Sequence, residues 1–175
     1  VDTDGEFSLL HNAVLENNKH LYVVKSISKS YGVPGLRLGV LASGDTETIA
    51  RLKKEVAIWN INSFGEFYMQ IYEKYHKDYL KACQLFREER KLFFEELQQI
   101  PYLRVIPSQA NYFLCELTTD KFSSKELAVR LLTDHDILIK DCSGKAAFSR
   151  GSYIRLAVRD RNDNHKLVEA LKQYI

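Results

Sequence analysis

One stretch of this chain combines hydroxyls, glycines and two cationic side chains directly after a short apolar run. It reads Val24-Lys25-Ser26-Ile27-Ser28-Lys29-Ser30-Tyr31-Gly32-Val33-Pro34-Gly35-Leu36-Arg37-Leu38-Gly39. Glycines let a backbone approach a ligand closely, and hydroxyls with an arginine fork suit a phosphate dianion. A lysine at the end of a buried strand can be partly desolvated, which favours its neutral, nucleophilic form. The pattern is equally compatible with a phosphate site beside a reactive lysine and with a plain turn that carries solvated charges.

The apolar spacing upstream and downstream of this stretch predicts alternating helices and strands. The first half of the chain is predicted to contain a helix over 7–17, a buried strand over 21–24, a strand over 36–42, a helix from about Asp45, and one long helix, or two joined near Lys77, between Gly65 and Gln99. The second half is predicted to contain strands over 102–106, 110–117, 137–140 and 153–158, a helix opened by a Ser123–Glu126 capping box and running through Thr133, and a last helix capped by Asn162 or Asp163. This mixture predicts the α/β or α+β class.

Composition and charge exclude several classes of protein. The 175 residues are 45% hydrophobic and 27% charged, which argues against a disordered chain, a collagen-like fibre or a coiled coil. Twenty-five basic and 23 acidic residues leave a net charge of +2, which does not suggest a nucleic-acid partner. No apolar run is long enough to cross a membrane. A soluble, cytoplasmic protein is expected.

Cysteines and histidines give no sign of a metal site or a disulfide framework. Cys83, Cys115 and Cys142 are far apart and form no C-x-x-C pair, which indicates a reducing compartment. The five histidines lack the spacing of a helical metal site. We therefore expect no bound metal.

The pattern Ser-x-Ser-Lys-x-x-Gly-x-x-Gly-x-Arg-x-Gly resembles the cofactor-lysine motif of fold-type I class I/II aminotransferases, which depend on pyridoxal 5'-phosphate. Within that group the chain most resembles histidinol-phosphate aminotransferases and threonine-phosphate decarboxylases. The resemblance implies that Lys29 binds the cofactor covalently and moves the proton at the substrate's α-carbon. It also implies that Ser26, Ser28 and Arg37 hold the cofactor phosphate.

Three further segments resemble the same family, in the order expected of it. Trp59-Asn60-Ile61-Asn62-Ser63 is similar to the segment before the family's long interdomain helix. Pro107-Ser108-Gln109-Ala110-Asn111-Tyr112-Phe113 is similar to the entry of a small-domain strand, where Asn111 would lie near the substrate. Tyr153-Ile154-Arg155-Leu156-Ala157-Val158 resembles the strand whose arginine grips the substrate α-carboxylate, so Arg155 is the candidate for that contact. Taken alone, Arg155 reads as an ordinary strand-end arginine.

The resemblance implies a division of the chain and one departure from the family. Residues 1–75 would be the end of the large domain, 76–100 a linking helix and 101–175 an α+β small domain. Lys140 stands where the family usually has an arginine that helps bind the substrate's distal phosphate or carboxyl group. Lysine keeps the charge but lacks the guanidinium fork, so the departure leaves the substrate class open.

The chain resembles only the C-terminal half of the family's enzymes. In those enzymes an aspartate that pairs with the cofactor's pyridine nitrogen, an aromatic residue that stacks on its ring and an asparagine that meets the ring hydroxyl lie earlier in sequence. Asp2 and Asp4 are interpreted as exposed linker residues rather than as substitutes for that aspartate. We therefore expect negligible aminotransferase activity from these 175 residues alone.

The expected reaction of the complete enzyme is amino-group transfer between an amino acid or amine and a 2-oxo acid, a biosynthetic step on a small molecule. A phosphate-bearing substrate and a homodimer are implied by the resemblance. Two alternatives stay open: decarboxylation of an O-phospho amino acid, and a non-catalytic module that needs a complementary N-terminal half.

Overall fold

A computed structural model describes residues 8–148 and 151–175. The chain forms two compact units, the first ending at Lys81 and the second beginning at Ala82, so the boundary falls inside its longest helix. The division into 1–75, 76–100 and 101–175 stays a prediction. Asp2 and Asp4 lie outside the described residues.

The first unit is built around a two-stranded antiparallel hairpin. Its elements are α1 (Asn12–Asn17), β1 (Tyr22–Ser26), α2 (Ile27–Ser30), a 3-10 turn (Pro34–Leu36), β2 (Gly39–Ser43), α3 (Thr46–Glu55) and the first part of α4 (Ser63–Leu97). β1 pairs with β2, and the register places Ser26 opposite Gly39. α4 is a single 35-residue helix, which confirms the first of the two predicted alternatives.

Three predictions for this unit differ from the structure. The strand predicted over 36–42 begins only at Gly39, after the 3-10 turn Pro34–Leu36. The strand expected to be buried is β1, yet Val24 is 79% exposed, because among the described residues nothing packs over that side of the hairpin. The helix expected over 7–17 begins only at Asn12, and Phe7 lies outside the described residues. The predicted helix after Asp45 is confirmed as α3, whose first turn is capped by the Asp45 side chain accepting from the Thr48 N–H at 2.9 Å.

The second unit packs three helices against a four-stranded antiparallel sheet. It contains the end of α4, β3 (Leu103–Ile106), β4 (Tyr112–Leu117), α5 (Ser124–His135), β5 (Lys140–Asp141), a 3-10 turn (Ala146–Phe148), β6 (Ser152–Ala157) and α6 (Arg161–Lys172). The strand order is β3-β4-β6-β5. Among the described residues, every buried apolar side chain belongs to this unit, from Phe93 to Leu171.

Of the two helix caps predicted for this unit, one is confirmed and one is wrong. The Ser123–Glu126 capping box is present at the start of α5, as predicted. The cap predicted for α6, Asn162 or Asp163, is wrong, since Asp160 caps that helix by accepting from the Asp163 N–H at 2.9 Å. The buried Asn164 side chain forms hydrogen bonds with both the N–H and the carbonyl of Arg159. These bonds set the cap of α6 two or three residues before the predicted positions.

β5 is shorter than the strand predicted over 137–140. Asp136 adopts a left-handed conformation with φ of 57° at the end of α5. The Ile137 N–H then donates to the Leu131 carbonyl at 2.9 Å, so this residue closes the helix rather than pairing with a strand. Strand pairing begins at Lys140.

No helix within the described ranges is both long enough and apolar enough to span a lipid bilayer. The three cysteines are free thiols, and Cys115 and Cys142 are buried. Burial raises the pKa of the Cys115 thiol to about 12.

Candidate functional site

Backbone pairing at the loop end of the hairpin brings the two halves of the glycine-containing stretch together. Ser26 lies opposite Gly39, and the Ile27 N–H donates to the Leu38 carbonyl at 3.1 Å. Lys29 lies in the short helix α2 that directly follows β1, and Arg37 directly precedes the Leu38–Gly39 segment. The pairing therefore places the segment of Lys29 and the segment of Arg37 at the same end of one hairpin.

The turn between these segments depends on two residues with positive φ. Gly32 has a φ of +66°, a conformation that side chains rarely adopt. Arg37 has a φ of 54°, and its guanidinium donates to the Pro34 carbonyl at 3.4 Å. A non-glycine residue in this region is uncommon and tends to mark a position that the surrounding structure holds in place.

The four candidate cofactor residues differ in their exposure. Ser26, Lys29 and Arg37 are exposed, whereas Ser28 is buried with 7% of its surface accessible. Of the four, Arg37 lines a cavity of about 360 Å³ in the first unit. Ser26, Ser28 and Lys29 do not line it.

Tyrosines form much of the wall of this cavity beside Arg37. Tyr31, Tyr68 and Tyr72 line it, and the ring of Tyr31 meets the ring of Tyr72 edge-on, with centroids 5.4 Å apart. Burial and a hydrogen bond with Tyr31 raise the pKa of Tyr72 to about 12. No sequence motif assigned these tyrosines to the site. Their spacing of four residues on α4 indicates a shared face, but only the fold shows that Tyr31 joins them.

The α4 segment that carries Tyr68 and Tyr72 also presents aromatic side chains to solvent. Phe64 is 77% exposed and Phe67 is 59% exposed. Neighbouring Trp59, in the segment that resembles the family's helix entry, is 89% exposed.

In the second unit, strand pairing places two candidate substrate residues directly opposite each other. Lys140 on β5 is the register partner of Arg155 on β6, and both side chains are exposed. The Arg155 guanidinium lies 5.0 Å from the centre of the Tyr112 ring, within range of a cation–π interaction. Two cations and one aromatic ring therefore form a small surface on one side of the sheet.

Asn111 lies beside this surface at the start of β4. Its carbonyl accepts from the Val158 N–H at 3.0 Å, which fixes the backbone of Asn111 against the end of β6. The Asn111 side chain is exposed. The structure therefore collects all three candidate substrate residues in the second unit and the four candidate cofactor residues in the first.

A hydrogen-bond cluster holds β5, the strand that carries Lys140. Asp141 accepts from the Ser124 hydroxyl at 2.8 Å and from the Ser143 hydroxyl at 2.6 Å. Burial tends to raise the pKa of Asp141, but these hydrogen bonds lower it overall, so the carboxylate stays ionised. Because β5 has only two residues, this cluster rather than a long ladder keeps Lys140 opposite Arg155.

The family model for "Aminotransferase class I and II" matches residues 5–171. One relative is the CMP-5'-(3-aminopropyl)phosphonate synthase of Streptomyces rubellomurinus, 35% identical over 92% of this chain and 26% of its own length. Another is the threonine-phosphate decarboxylase of Salmonella typhimurium, 31% identical over 92% of this chain and 43% of its own length. Among solved structures, the histidinol-phosphate aminotransferase of Clostridium acetobutylicum is similar with a TM-score of 0.79 and 31% identity, over 93% of this chain and 48% of that one.

These matches extend over almost all of this chain but less than half of each relative. They confirm the predicted resemblance and the predicted fold. They also confirm the predicted cofactor, because the enzymes matched here depend on pyridoxal phosphate. The chain belongs to the pyridoxal-phosphate-dependent class I and II aminotransferase family.

Proposed function

We propose that this chain provides the cofactor lysine and the substrate-anion contacts of an enzyme that transfers an amino group between a phosphate- or phosphonate-bearing amino acid and a 2-oxo acid. The observation that carries the proposal is the pairing of Lys140 with Arg155 across β5 and β6. Two adjacent cations match a substrate with two anionic groups, an α-carboxylate and a distal phosphate. The names of the two relatives describe a synthase of a phosphonate compound and a decarboxylase of threonine phosphate, which supports this substrate class.

The residues at the hairpin end fit pyridoxal phosphate by their chemistry. A primary amine on Lys29 suits the aldehyde, while the Arg37 guanidinium and the Ser26 hydroxyl suit the phosphate. All three side chains are exposed, and pairing of Ser26 with Gly39 holds them at one end of the hairpin. Ser28 is proposed as a further phosphate contact, although its burial makes its access the most restricted of the four.

When bound, pyridoxal phosphate withdraws electrons from the substrate carbon that bears the amino group. The Lys29 Nζ atom would accept the proton that leaves that carbon, as a general base, and would then release it elsewhere in the site, as a general acid. Arg155 would hold the α-carboxylate through two parallel N–H donors, and the Tyr112 ring would restrict the orientations of its guanidinium. Lys140 would attract the distal phosphate as a point charge. Asn111 would contact the substrate beside them.

Decarboxylation of a phospho amino acid is a second candidate reaction. It is favoured by the similarity to the threonine-phosphate decarboxylase, and it would use the same Lys29 and Arg155. The two reactions differ in which bond of the α-carbon breaks: the bond to hydrogen in amino-group transfer, and the bond to the carboxylate carbon in decarboxylation.

An assay of products separates the two reactions. The assay uses a longer polypeptide, in which this chain is preceded by the sequence that precedes the matched region in the relatives. That polypeptide is loaded with pyridoxal phosphate and supplied with threonine phosphate and a 2-oxo acid. Transfer predicts a new amino acid and a new 2-oxo acid in equal amounts, whereas decarboxylation predicts carbon dioxide and a phosphorylated amine. Absence of both sets of products with phosphate-bearing substrates would contradict the proposal and favour a non-catalytic module.

We expect Arg155→Lys to weaken substrate binding by about tenfold or more, because lysine cannot present two parallel donors to a carboxylate. Arg159→Lys is the matched control, since Arg159 is exposed and pairs with Asp163 rather than with the proposed substrate surface. The measurement is the concentration of threonine phosphate that half-saturates the spectral change of the cofactor-loaded protein. Equal effects of the two substitutions would argue against Arg155 as the carboxylate contact.

A further inference from the structure

We propose that the second unit contains a binding site for a phosphate-type dianion, separate from the proposed substrate surface. The site is the cavity of about 170 Å³ between α4 and the loop that follows β3. Its polar wall consists of Arg87, Arg90, Lys91 and Ser108. None of the functions assigned above uses these residues.

Arg90 is a buried cation with neutral partners. It is 8% exposed, and its guanidinium donates to the Gln109 carbonyl at 2.6 Å and to the Ala110 carbonyl at 3.5 Å. No carboxylate in the described part of the chain lies within ion-pair distance of it. Buried charges are normally paired, because removing an unpaired charge from water is costly. An anion in the cavity would supply the missing charge.

The exposed Lys91 adds a positive charge to the wall of the cavity. Arg87 and Lys91 are four residues apart on α4 and therefore share one face of the helix. The Ser108 Oγ atom accepts from the Ala110 N–H at 3.0 Å, so its own O–H can donate to a ligand. Among the described residues, no aspartate or glutamate lines the cavity.

The remaining walls favour a dianion that carries several oxygens. Phe94, Phe113 and Pro107 complete the cavity with apolar surface, and apolar walls strengthen the electrostatic attraction between a cation and a bound anion. Guanidinium groups present parallel donors that match the oxygens of a phosphate. A phosphate bound here would contact both α4 and the loop between β3 and β4.

The test is a titration of the 175-residue chain with inorganic phosphate, with potassium chloride adjusted to keep the ionic strength constant. Amide NMR signals are followed, because they report binding residue by residue. We expect saturable shifts at Ser108 and Lys91. Lys91→Ala should weaken phosphate binding about two- to fivefold, the range expected when one exposed cation is lost. Lys77→Ala is the matched control, since it removes the same exposed charge from the same helix away from the cavity.

Shifts that grow linearly with phosphate, or equal affinities of the Lys91→Ala and Lys77→Ala variants, would overturn the proposal. Arg90→Gln gives a stricter test in the folded protein, since saturable shifts at Ser108 should disappear with the buried charge. If that variant does not fold, the comparison of the two lysine variants decides.

Discussion

Replacing Lys29 with alanine is expected to abolish site-specific attachment of pyridoxal phosphate to this chain. In the unsubstituted protein, borohydride reduction in the presence of pyridoxal phosphate should leave a pyridoxyl adduct on the peptide that contains Lys29. The reason is that Lys29 is exposed at the hairpin end where Arg37 and Ser26 are proposed to hold the phosphate. Such phosphate contacts would raise the local concentration of the aldehyde beside one amine. Peptide mass mapping measures where the adduct forms.

Lys25 provides a control within the same experiment. It lies four residues earlier, in β1 rather than in α2. A general reaction with lysines would label Lys25 and other lysines as well as Lys29, and Lys29→Ala would leave most of the label unchanged. That result would show that the hairpin end does not form a cofactor site in these 175 residues. Arg37→Ala should reduce labelling of Lys29 while leaving its amine in place, which tests the phosphate contact separately.

Leu131→Ala is expected to lower the free energy of unfolding of the second unit by about 2–5 kcal/mol. Leu131 is 0% exposed on α5 and belongs to the core that packs this helix on the sheet. Truncation removes buried apolar surface and leaves a cavity that its closely packed neighbours cannot fill completely. Urea unfolding of the chain, with a probe in the second unit, measures the change.

The neighbouring Leu132 offers a control with the same chemical change. It is 47% exposed on the same helix. We expect Leu132→Ala to cost less than about 1 kcal/mol, since about half of its side chain is already in water in the folded protein. Similar losses for the two variants would contradict the orientation of α5 in the structure.

Features that depend on residues close in sequence were the most predictable part of this protein. Ser123 and Glu126 are three residues apart, and the capping box they form is present as predicted. The regular apolar spacing between Gly65 and Gln99 predicted the long helix α4, and the family motif around Lys29 predicted the family that the aminotransferase model confirms. Each of these signals lies within one helix, one cap or one turn.

Predictions failed where a contact between distant residues selected among several local candidates. Asp160, Asn162 and Asp163 are all acceptable caps, and the choice of Asp160 follows the buried Asn164, whose amide donates to Glu89 at 2.8 Å. Val24 resembles a core residue by its type, but its exposure depends on what packs over β1. Neither the cap of α6 nor the exposure of Val24 can be derived from the residues that neighbour it in sequence.

The candidate site also combines features that short motifs predict with features that depend on contacts between distant residues. From the sequence alone, the motifs identified Lys29, Arg37 and Arg155 as residues with the chemistry of a cofactor and substrate site. Only the tertiary structure placed Lys140 opposite Arg155, Tyr112 under the guanidinium and three tyrosines around the cavity beside Arg37. The physical reason is that residue type and short-range hydrogen bonds are encoded locally. Strand register and burial depend instead on the packing of segments that are tens of residues apart.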